Sequence, residues 1–306
     1  MKKNWHKLGL LYSPSTSNRS PKLASHAANP VPVHVEDDRY RVYFSGRDSE
    51  NRSSVGAVDI DVVNRKLVYE YRDPFFEHGP VGSFYAEGVS IGNCYEADGV
   101  KYMLFMGWQS PKDGHWRGDI GQLVVSSDLG LKLTSDIPLM GSDAVDPISL
   151  SYPWVLKGET GNYDMWYGST TAWDAGNGEM LHVINYASSA DGLHWNREGL
   201  AVPYELGRAQ AFSRPTVVGN VNDGFEMWFS YRSGNGEKYR IGYATSRDGR
   251  KWDLSLASAG IHVSAEGWDS EMIEYPFVFD HKGERYMLYN GNGYGKSGFG
   301  LAIQEY

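Results

Sequence analysis

Five copies of one strand pattern, about sixty residues apart, constrain this chain more than any other feature of its sequence. An apolar strand that opens on Pro or Gly precedes each copy. Self-similarity at a fixed period of this size indicates a fold built from repeated units. The copies read RVYFSGRD (41–48), YMLFMGWQ (102–109), DMWYGSTT (164–171), EMWFSYRS (226–233) and YMLYNGNG (286–293), and the openers are Pro30, Gly88, Pro153, Pro215 and Pro276.

The spacing inside the units is as regular as the spacing between them. In four units the opening proline stands thirteen residues before an aromatic residue, so we predict that these aromatics pack at one repeated position. They are Tyr43, Trp166, Trp228 and Tyr289. A third strand follows in every unit, and Asp191-Gly192 and Asp248-Gly249 predict hairpin turns into a fourth strand. Trp195 and Trp252, just after these turns, should then be equivalent.

Four strands in each unit are typical of one propeller blade. The fifth unit ends after its third strand, at Tyr306, and the segment 4–9 is similar to the fourth strand that begins at Trp195. We therefore predict an all-β fold in which residues 1–306 form a single five-bladed β-propeller domain. Its blades are four-stranded and antiparallel, and the N-terminal strand pairs into the last blade and closes the ring.

Composition excludes several classes of function. The net charge of −9 without a basic block argues against nucleic acid or an anionic membrane as partner. A single cysteine, Cys94, excludes an internal disulfide framework. No apolar run is long enough for a membrane span or a signal peptide, so a cytoplasmic location is expected. No metal-ligand spacing or phosphate-binding loop is evident, so no cofactor is expected. A structural calcium ion is an open alternative without an identifiable ligand set.

The entry ends of the inner strands should converge on one face of a propeller, where residues sixty positions apart can form one site. This geometry selects the residues around each opener. They include several carboxylates, an arginine and aromatic side chains, an inventory that suits saccharides because carboxylates supply acid and base while aromatic faces hold sugar rings. The candidates are His26, Asn29, Glu87, Asp146, Tyr152, Ser213, Arg214, Asp269, Glu271, Glu274 and Tyr275.

The blade pattern resembles that of the five-bladed propeller glycosidases, which include arabinanases, β-xylosidases, invertases and levansucrases, and of the related mannoside phosphorylases. The resemblance covers nearly the whole chain. The stretches SHAANP, RVYFSGRD, NRSSVGAVDID and WDSEMIEYPFVF look more closely like an uncharacterised bacterial branch of glycosidase-like propellers. The resemblance implies an enzyme that cleaves or transfers a glycosidic bond with carboxylates in an axial pocket.

The resemblance assigns roles to individual residues and also shows departures. Those families place an aspartate before the proline of the first blade, where this chain has Asn29, and an aspartate on the third blade, which Asp146 matches. Their acid on the fourth blade has no counterpart beside Arg214. Glu87 and either Glu271 or Glu274 are therefore the remaining candidates, and strand alternation does not decide which of the last two faces the pocket.

The expected catalytic residues are thus Glu87, Asp146, Glu271 and Glu274. The residues expected to bind substrate are His26, Asn29, Arg47, Trp108, Tyr152, Trp173, Arg214, Asp269 and Tyr275. For Arg47, an ion pair with Asp48 that braces neighbouring blades is an alternative.

The leading hypothesis is a glycoside hydrolase that acts on a saccharide or a glycan precursor. A transglycosylase, a phosphorylase that uses Arg214, Arg47 and His26 for phosphate, and a non-catalytic sugar-binding propeller, which Asn29 favours, are the alternatives. Two catalytic carboxyls roughly 6.5–9.5 Å apart would indicate inversion, and about 5–5.5 Å would indicate retention.

Overall fold

A computed structural model describes residues 4–14, 19–112 and 114–305. These residues form an all-β structure whose helical content is limited to two single-turn 3₁₀ helices, Pro21–Leu23 and Leu256–Ser258. The helices that the described residues form are far too short to cross a membrane.

The strands fall into five units of four, in the order that the sequence repeat predicts. Unit one contains β2 (Ser25–Glu36), β3 (Arg39–Arg47), β4 (Ser53–Asp61) and β5 (Lys66–Glu70). Unit two contains β6 (Gly88–Ala97), β7 (Val100–Gln109), β8 (Arg117–Val125) and β9 (Leu131–Leu133). Unit three contains β10 (Ser149–Lys157), β11 (Tyr163–Ala172), β12 (Leu181–Ser189) and β13 (Asn196–Leu200). Unit four contains β14 (Ser213–Asn220), β15 (Gly224–Tyr231), β16 (Arg240–Ser246) and β17 (Asp253–Leu254). Unit five contains β18 (Glu274–His281), β19 (Glu284–Asn290), β20 (Phe299–Glu305) and β1 (Asn4–Tyr12).

Each unit is an antiparallel sheet whose strands pair in sequence order, with unit five completed from the other end of the sequence. In that unit β1 pairs with β20 from Asn4–Glu305 to Tyr12–Phe299, which confirms the predicted pairing of the N-terminal strand. Units one and two also share one parallel bridge between Ser53 and Gly88.

The first strands of the units contact one another in a cycle. β2 lies against β6, β6 against β10, β10 against β14, β14 against β18, and β18 again against β2. The residues that pack between the sheets are mainly aromatic and β-branched, and the largest hydrophobic cluster extends through all five units. This arrangement places the ends of five first strands around a common centre.

The four repeated aromatic residues are all fully buried; Tyr43 and Trp166 also tie one unit to the next, and Trp228 ties its unit to the segment between β17 and β18. The Tyr43 hydroxyl donates a hydrogen bond to the carbonyl oxygen of Leu129 in unit two. The Trp166 indole donates to the Gly249 carbonyl oxygen at 2.7 Å, and the Trp228 indole to the Ala259 carbonyl oxygen at 3.2 Å. Buried polar groups of aromatic side chains thus find partners across the seams between units.

Tyr289 departs from this pattern because the hairpin between β18 and β19 is one residue shorter. There Phe277 pairs with Leu288, whereas in units one, three and four the residue after the proline pairs with Tyr43, Trp166 and Trp228. Leu288 therefore takes the repeated position.

Candidate active site

One pocket is lined by first-strand residues of all five units. Its cavity volume is about 310 Å³. We call it the central pocket. The first-strand residues in its wall are Ala28, Asn29, Ser90, Tyr152, Ser213 and Tyr275.

Bulges in the first strands bring side chains to this pocket. The residues before the four opening prolines have left-handed backbones, with φ of 55° for Asn29, 42° for Tyr152, 51° for Arg214 and 53° for Tyr275. The strand register shifts at each of these steps. Such a conformation is strained, by about 1–3 kcal/mol for a residue other than glycine, and a bulge re-aims a side chain. Strain repeated around one pocket indicates a functional site.

Unit two makes the same bulge without proline. Its register shift falls between Ile91 and Cys94, so Gly92-Asn93 replaces the residue–proline pair of the other units. A Cβ atom on Gly92 would lie 2.4 Å from the Pro153 carbonyl oxygen, so a side chain there would clash with unit three. The proline position of unit two is therefore Asn93, and the predicted opener Gly88 is five residues too early.

The ends of the second strands supply a pair of cations that the sequence analysis recognised only in part. Arg47 ends the sequence FSGR in unit one and Arg232 ends FSYR in unit four, and both line the central pocket. Trp108 takes the same place in unit two. Arg232 lies outside the segments around the first-strand openers, but it shares the repeat register of Arg47, which is the sequence signal that identifies it.

Aromatic side chains form much of the remaining wall. Trp108 donates an indole hydrogen bond to the Ser53 hydroxyl at 3.1 Å, which fixes the orientation of its ring. Arg232 lies over the Tyr239 ring, 4.8 Å from its centroid, and forms a 2.7 Å ion pair with Glu179. Aromatic faces beside fixed polar groups are suited to sugar rings. The aromatic residues in the wall are Trp108, Trp116, Tyr152, Tyr239, Tyr275 and Tyr294.

Glu274 is a fully buried carboxyl group among these residues. Its side chain is 0% exposed, and neither carboxyl oxygen has a hydrogen bond of normal geometry to a described residue. Burial raises the pKa of Glu274 well above its ordinary value, and the charges of Arg47 and Arg232 and the approach of Tyr275 oppose this only in part. Burial therefore favours the uncharged, protonated form of the Glu274 carboxyl.

Glu271, the alternative to Glu274, lies on the protein surface. Its carboxylate forms an exposed ion pair with Lys238. The structure thus decides which of the two glutamates points inward.

Asp146 and Asp269 are buried but lie outside the lining of the central pocket. The Asp146 carboxylate accepts hydrogen bonds from Tyr167 at 2.9 Å, Asn185 at 2.8 Å and Arg197 at 3.0 Å. Asp269 is bound in the corresponding way by Tyr289 at 3.0 Å and Lys7 at 2.7 Å. Each carboxylate joins the second strand of its unit to the fourth. This shared arrangement indicates a structural role and corrects the expected convergence of Asp146 on the pocket.

Glu87 is also absent from the pocket lining. It is half-buried, and its backbone is engaged by Ser53 and Trp108. The three predicted carboxylates therefore do not meet: Glu274 alone lies among residues that line the pocket.

Arg214 spans the centre beneath the pocket and does not belong to its lining. Its guanidinium donates to the carbonyl oxygens of Ile91 and Pro30, the latter at 3.1 Å, and thereby ties unit four to units two and one. Burial lowers the pKa of Arg214 to about 9. The predicted anion-binding arginine is thus a bridge between first strands, because backbone carbonyls accept hydrogen bonds from both of its terminal nitrogens.

The other predicted binding residues divide between the pocket and its rim. Asn29 lines the pocket, and its side-chain oxygen has no hydrogen-bond partner among the described residues. Trp173 lies on the rim, where it stacks on His115 at 4.6 Å and meets the edge of Trp116 at 5.0 Å. His26 is half-buried, and burial together with the charges of Arg47 and Lys296 lowers its pKa to about 4.

His182 is a pocket residue that the sequence did not single out. Its ring nitrogens face the hydroxyls of Ser151 at 2.7 Å and Thr170 at 2.6 Å, and burial lowers its pKa to about 4. It is therefore a neutral polar group at physiological pH. Among the described residues, no three His, Cys, Asp or Glu side chains lie together as metal ligands, so none can be named for a calcium ion.

Two proteins of Mycobacterium tuberculosis are close relatives in sequence. Uncharacterized protein Rv1502 (strain ATCC 25618 / H37Rv) and Uncharacterized protein MT1551 (strain CDC 1551 / Oshkosh) are each 43% identical over 303 residues, which is 98% of this sequence and 99% of theirs. The protein belongs to the family of these two proteins. No protein-family model matches it.

Solved structures of carbohydrate-active proteins share the fold at low sequence identity. A glycosyl hydrolase from Bacteroides ovatus is 12% identical with a TM-score of 0.72, and the match covers 99% of this protein and 94% of that one. A structure from the GH130 family of mannoside phosphorylases, which contains glycoside hydrolases for β-1,2 mannosidic linkages in Candida mannan, is 12% identical with a TM-score of 0.70 (99% and 94%). An exo-1,5-α-L-arabinanase from a bovine ruminal metagenomic library is 15% identical with a TM-score of 0.62 (91% and 92%). These neighbours confirm the resemblance to propeller glycosidases and related phosphorylases.

Proposed function

We propose that this protein cleaves or transfers a glycosidic bond of a saccharide or glycan precursor in the central pocket. The five sheets would be the blades of one propeller domain closed by β1, as the cycle of first-strand contacts supports. The observation that carries the proposal is the buried, protonated carboxyl of Glu274 among the arginines and aromatic rings of the pocket.

In this proposal Glu274 is the general acid. Its proton passes to the glycosidic oxygen as the bond from that oxygen to the anomeric carbon breaks, and the leaving group departs as a neutral alcohol. A water molecule or an acceptor hydroxyl forms the new bond to the anomeric carbon and releases one proton to solvent, from which the Glu274 carboxylate regains the proton that it donated. A raised pKa keeps such an acid protonated near pH 7. The neighbouring aromatic rings hold the sugar.

Phosphorolysis is a variant of the same chemistry. A phosphate anion attacks the anomeric carbon without needing a general base, which fits a pocket with one nearby carboxyl group and two arginines, Arg47 and Arg232. Addition of inorganic phosphate to the assay distinguishes this variant, since it would yield a sugar 1-phosphate.

A non-catalytic sugar-binding protein is the second candidate. The observation in its favour is that the residues lining the central pocket include aromatics, arginines and amides but no carboxylate. Glu274 would then serve only as a buried polar group.

The test compares Glu274→Gln with Glu271→Gln, a matched control on the surface three residues away. We expect Glu274→Gln to lower turnover of an aryl glycoside panel by about 10²–10⁴-fold, the usual range for a lost acid–base group. Sugar binding, measured by calorimetry, should persist because the arginines and aromatic rings remain. Glu271→Gln should be as active as the unmodified protein. Full activity of Glu274→Gln would reject Glu274 as the general acid, and no turnover of any glycoside by the unmodified protein would favour the binding protein.

The pH dependence of stability provides a second readout that requires no substrate. Because the pKa of Glu274 is higher in the folded state than in the unfolded state, the folded state holds the proton more tightly. Its contribution to stability is complete below the unfolded pKa of about 4.3 and is lost as the pH rises towards the folded pKa. Thermal melts of Glu274→Gln should therefore show a smaller loss of Tm between pH 4 and pH 8 than the unmodified protein. Equal pH profiles would contradict a buried, protonated Glu274.

A further inference from the structure

Arg47 presents a charge to the central pocket that no described residue neutralises. It lines the pocket at the end of β3 and forms no hydrogen bond or ion pair with any described side chain. The predicted ion pair between Arg47 and Asp48 is not formed. Asp48 instead forms an ion pair with Arg52 at 2.9 Å and accepts hydrogen bonds from the backbone N–H groups of Glu50 and Arg52. Arginine carries a planar fork of donors that suits carboxylate and phosphate oxygens.

The surroundings of Arg47 are cationic. Burial lowers the pKa of His26, and the positive charges of Arg47 and Lys296 lower it further. No carboxylate charge contributes to the shift of His26. Lys296 is exposed, in the loop between β19 and β20 that rests on β2 through a 2.9 Å bond from the Ala27 amide to the Gly295 carbonyl oxygen. We call Arg47 and Lys296, the two cations whose charges act on the uncharged His26, the cationic corner.

The acidic groups nearby do not compensate this corner. Glu179 is paired with Arg232, and Glu274 is held in its uncharged form by burial. The pocket therefore carries a positive charge in a protein whose net charge is −9. A local field opposite in sign to that of the whole protein attracts anions into the pocket against the general repulsion.

From this arrangement we propose that the saccharide substrate itself carries an oxyanion, either the carboxylate of a uronic acid or a phosphate ester, and that Arg47 binds it. Lys296, in the loop that also contributes Tyr294 to the pocket lining, adds a second cation. This inference rests on the proposed function and specifies its substrate class. Arg47 would determine specificity and would not take part in proton transfer.

Free phosphate as the nucleophile fits the corner less well. The charge of Arg47 opposes the raised pKa of Glu274, so Arg47 lies on the side of the pocket near the proposed acid. A nucleophile approaches the anomeric carbon from the face opposite the leaving group when configuration is inverted, and that face is the one away from the acid. An anion at Arg47 is therefore better placed as a substituent of the sugar than as the attacking group.

The experiment measures binding to matched anionic and neutral sugars by calorimetry at low salt. The probes are D-glucuronate against D-glucose, D-galacturonate against D-galactose, and D-mannose 6-phosphate against D-mannose, with inorganic phosphate alone as a further arm. We expect at least one anionic sugar to bind 10-fold or more tightly than its neutral partner. Arg47→Met should remove this preference, a loss of roughly 10–100-fold in affinity for a charge-assisted hydrogen bond. Arg72→Met, an exposed arginine elsewhere in unit one, should keep it.

Three results would overturn the inference: equal affinity for anionic and neutral sugars, binding of none of the anionic sugars, or an unchanged preference in Arg47→Met. A different pair of results would assign the cationic corner to free phosphate. Inorganic phosphate would bind tightly to the unmodified protein but not to Arg47→Met, and neutral glycosides would be cleaved only when phosphate is present. The same titrations on Glu274→Gln separate the two proposals. If Glu274→Gln is fully active and still prefers anionic sugars, Glu274 is not the catalytic acid, but the proposal that the ligand is anionic is retained.

Discussion

Buried aspartates in this protein occur in the middle of hydrogen-bond networks that join strands of one sheet. Asp146 has 0% exposure and binds partners on β11, β12 and β13, and Arg197 also reaches the half-exposed Asp143 at 3.0 Å. A carboxylate that accepts three hydrogen bonds inside a sheet stabilises that sheet, whereas Glu274 has no partner of normal geometry among the described residues and retains a proton to donate.

Substitution Asp146→Asn tests this distinction. We expect it to lower the free energy of unfolding by roughly 1.5–3 kcal/mol, because the charged hydrogen bond to Arg197 is lost. The loss is limited because Asp143 still binds that arginine. Urea denaturation measures the change, and Asp143→Asn, at the exposed end of the same arginine, should have a smaller effect. Unchanged stability of Asp146→Asn together with lost turnover would restore Asp146 as a catalytic residue.

At the scale of the element, the N-terminal strand completes unit five as the fourth strands complete the others. Gly9 has φ of 98° and Gly199 in β13 has φ of 87°. Trp5 packs edge-on against Trp228 at 5.5 Å, as Trp252 packs against Trp166 at 6.0 Å and Trp195 against Tyr95 at 6.5 Å. Trp195, Trp252 and Trp5 thus each pack edge-on against an aromatic residue of the preceding unit, but Trp195 meets the first-strand residue Tyr95 where the other two meet second-strand tryptophans.

Removal of residues 1–12 should destabilise the whole molecule. It exposes the edge of β20, removes the 2.7 Å ion pair of Lys7 with the buried Asp269, and breaks the 2.8 Å bond from Tyr12 to Glu70 in unit one. We expect a lower Tm and aggregation, which thermal melts and size-exclusion chromatography measure. Lys7→Met, which removes the ion pair and the 3.0 Å hydrogen bond to Ser264 but keeps the strand, should lower Tm by less. A truncated protein with an unchanged Tm would contradict closure through β1.

At the scale of the whole molecule, the first strands are held together at the centre by polar contacts as well as by the apolar core. Arg214 bonds the carbonyls of β2 and β6, and Asn93 in β6 exchanges two hydrogen bonds of 2.8 Å with the Val155 backbone in β10. The Asn290 side chain in β19 accepts a hydrogen bond from the backbone N–H of Asn29 at 2.9 Å and donates one to the Ala27 carbonyl oxygen at 2.7 Å. Buried backbone groups near a centre without continuous sheet pairing need such side chains as partners.

Arg214→Met should therefore weaken the whole assembly even though it is similar in volume. The Pro30 and Ile91 carbonyls lose their donor, and each buried acceptor without a partner costs about 1–3 kcal/mol. We expect a lower urea midpoint in a single cooperative transition. Arg214→Lys keeps one charged donor, so its urea midpoint should lie between those of Arg214→Met and the unmodified protein. An Arg214→Met protein as stable as the unmodified one would show that relief of the buried charge offsets the lost bonds.

The repeat in the sequence was sufficient to predict the four-stranded units, their order and the pairing of the N-terminal strand. It was sufficient because each unit must bury the same faces against its neighbours, which imposes the same spacing of prolines, aromatics and turn glycines. The position of the first-strand bulge was predicted wrongly in unit two, which lacks the opening proline. There Gly92-Asn93 forms the bulge.

Which side chains enter the pocket was decided by tertiary structure. A repeat position places Glu271, Glu274 and Asp146 near the start of a first strand, but burial and partners follow from packing between distant segments. Lys238 holds Glu271 at the surface, Arg197 and Tyr167 engage Asp146, and Arg47 and Arg232 come from second strands of different units. The sequence determined the architecture because that depends on local periodicity, and the tertiary structure decided the chemistry because a pKa depends on what surrounds a group in space.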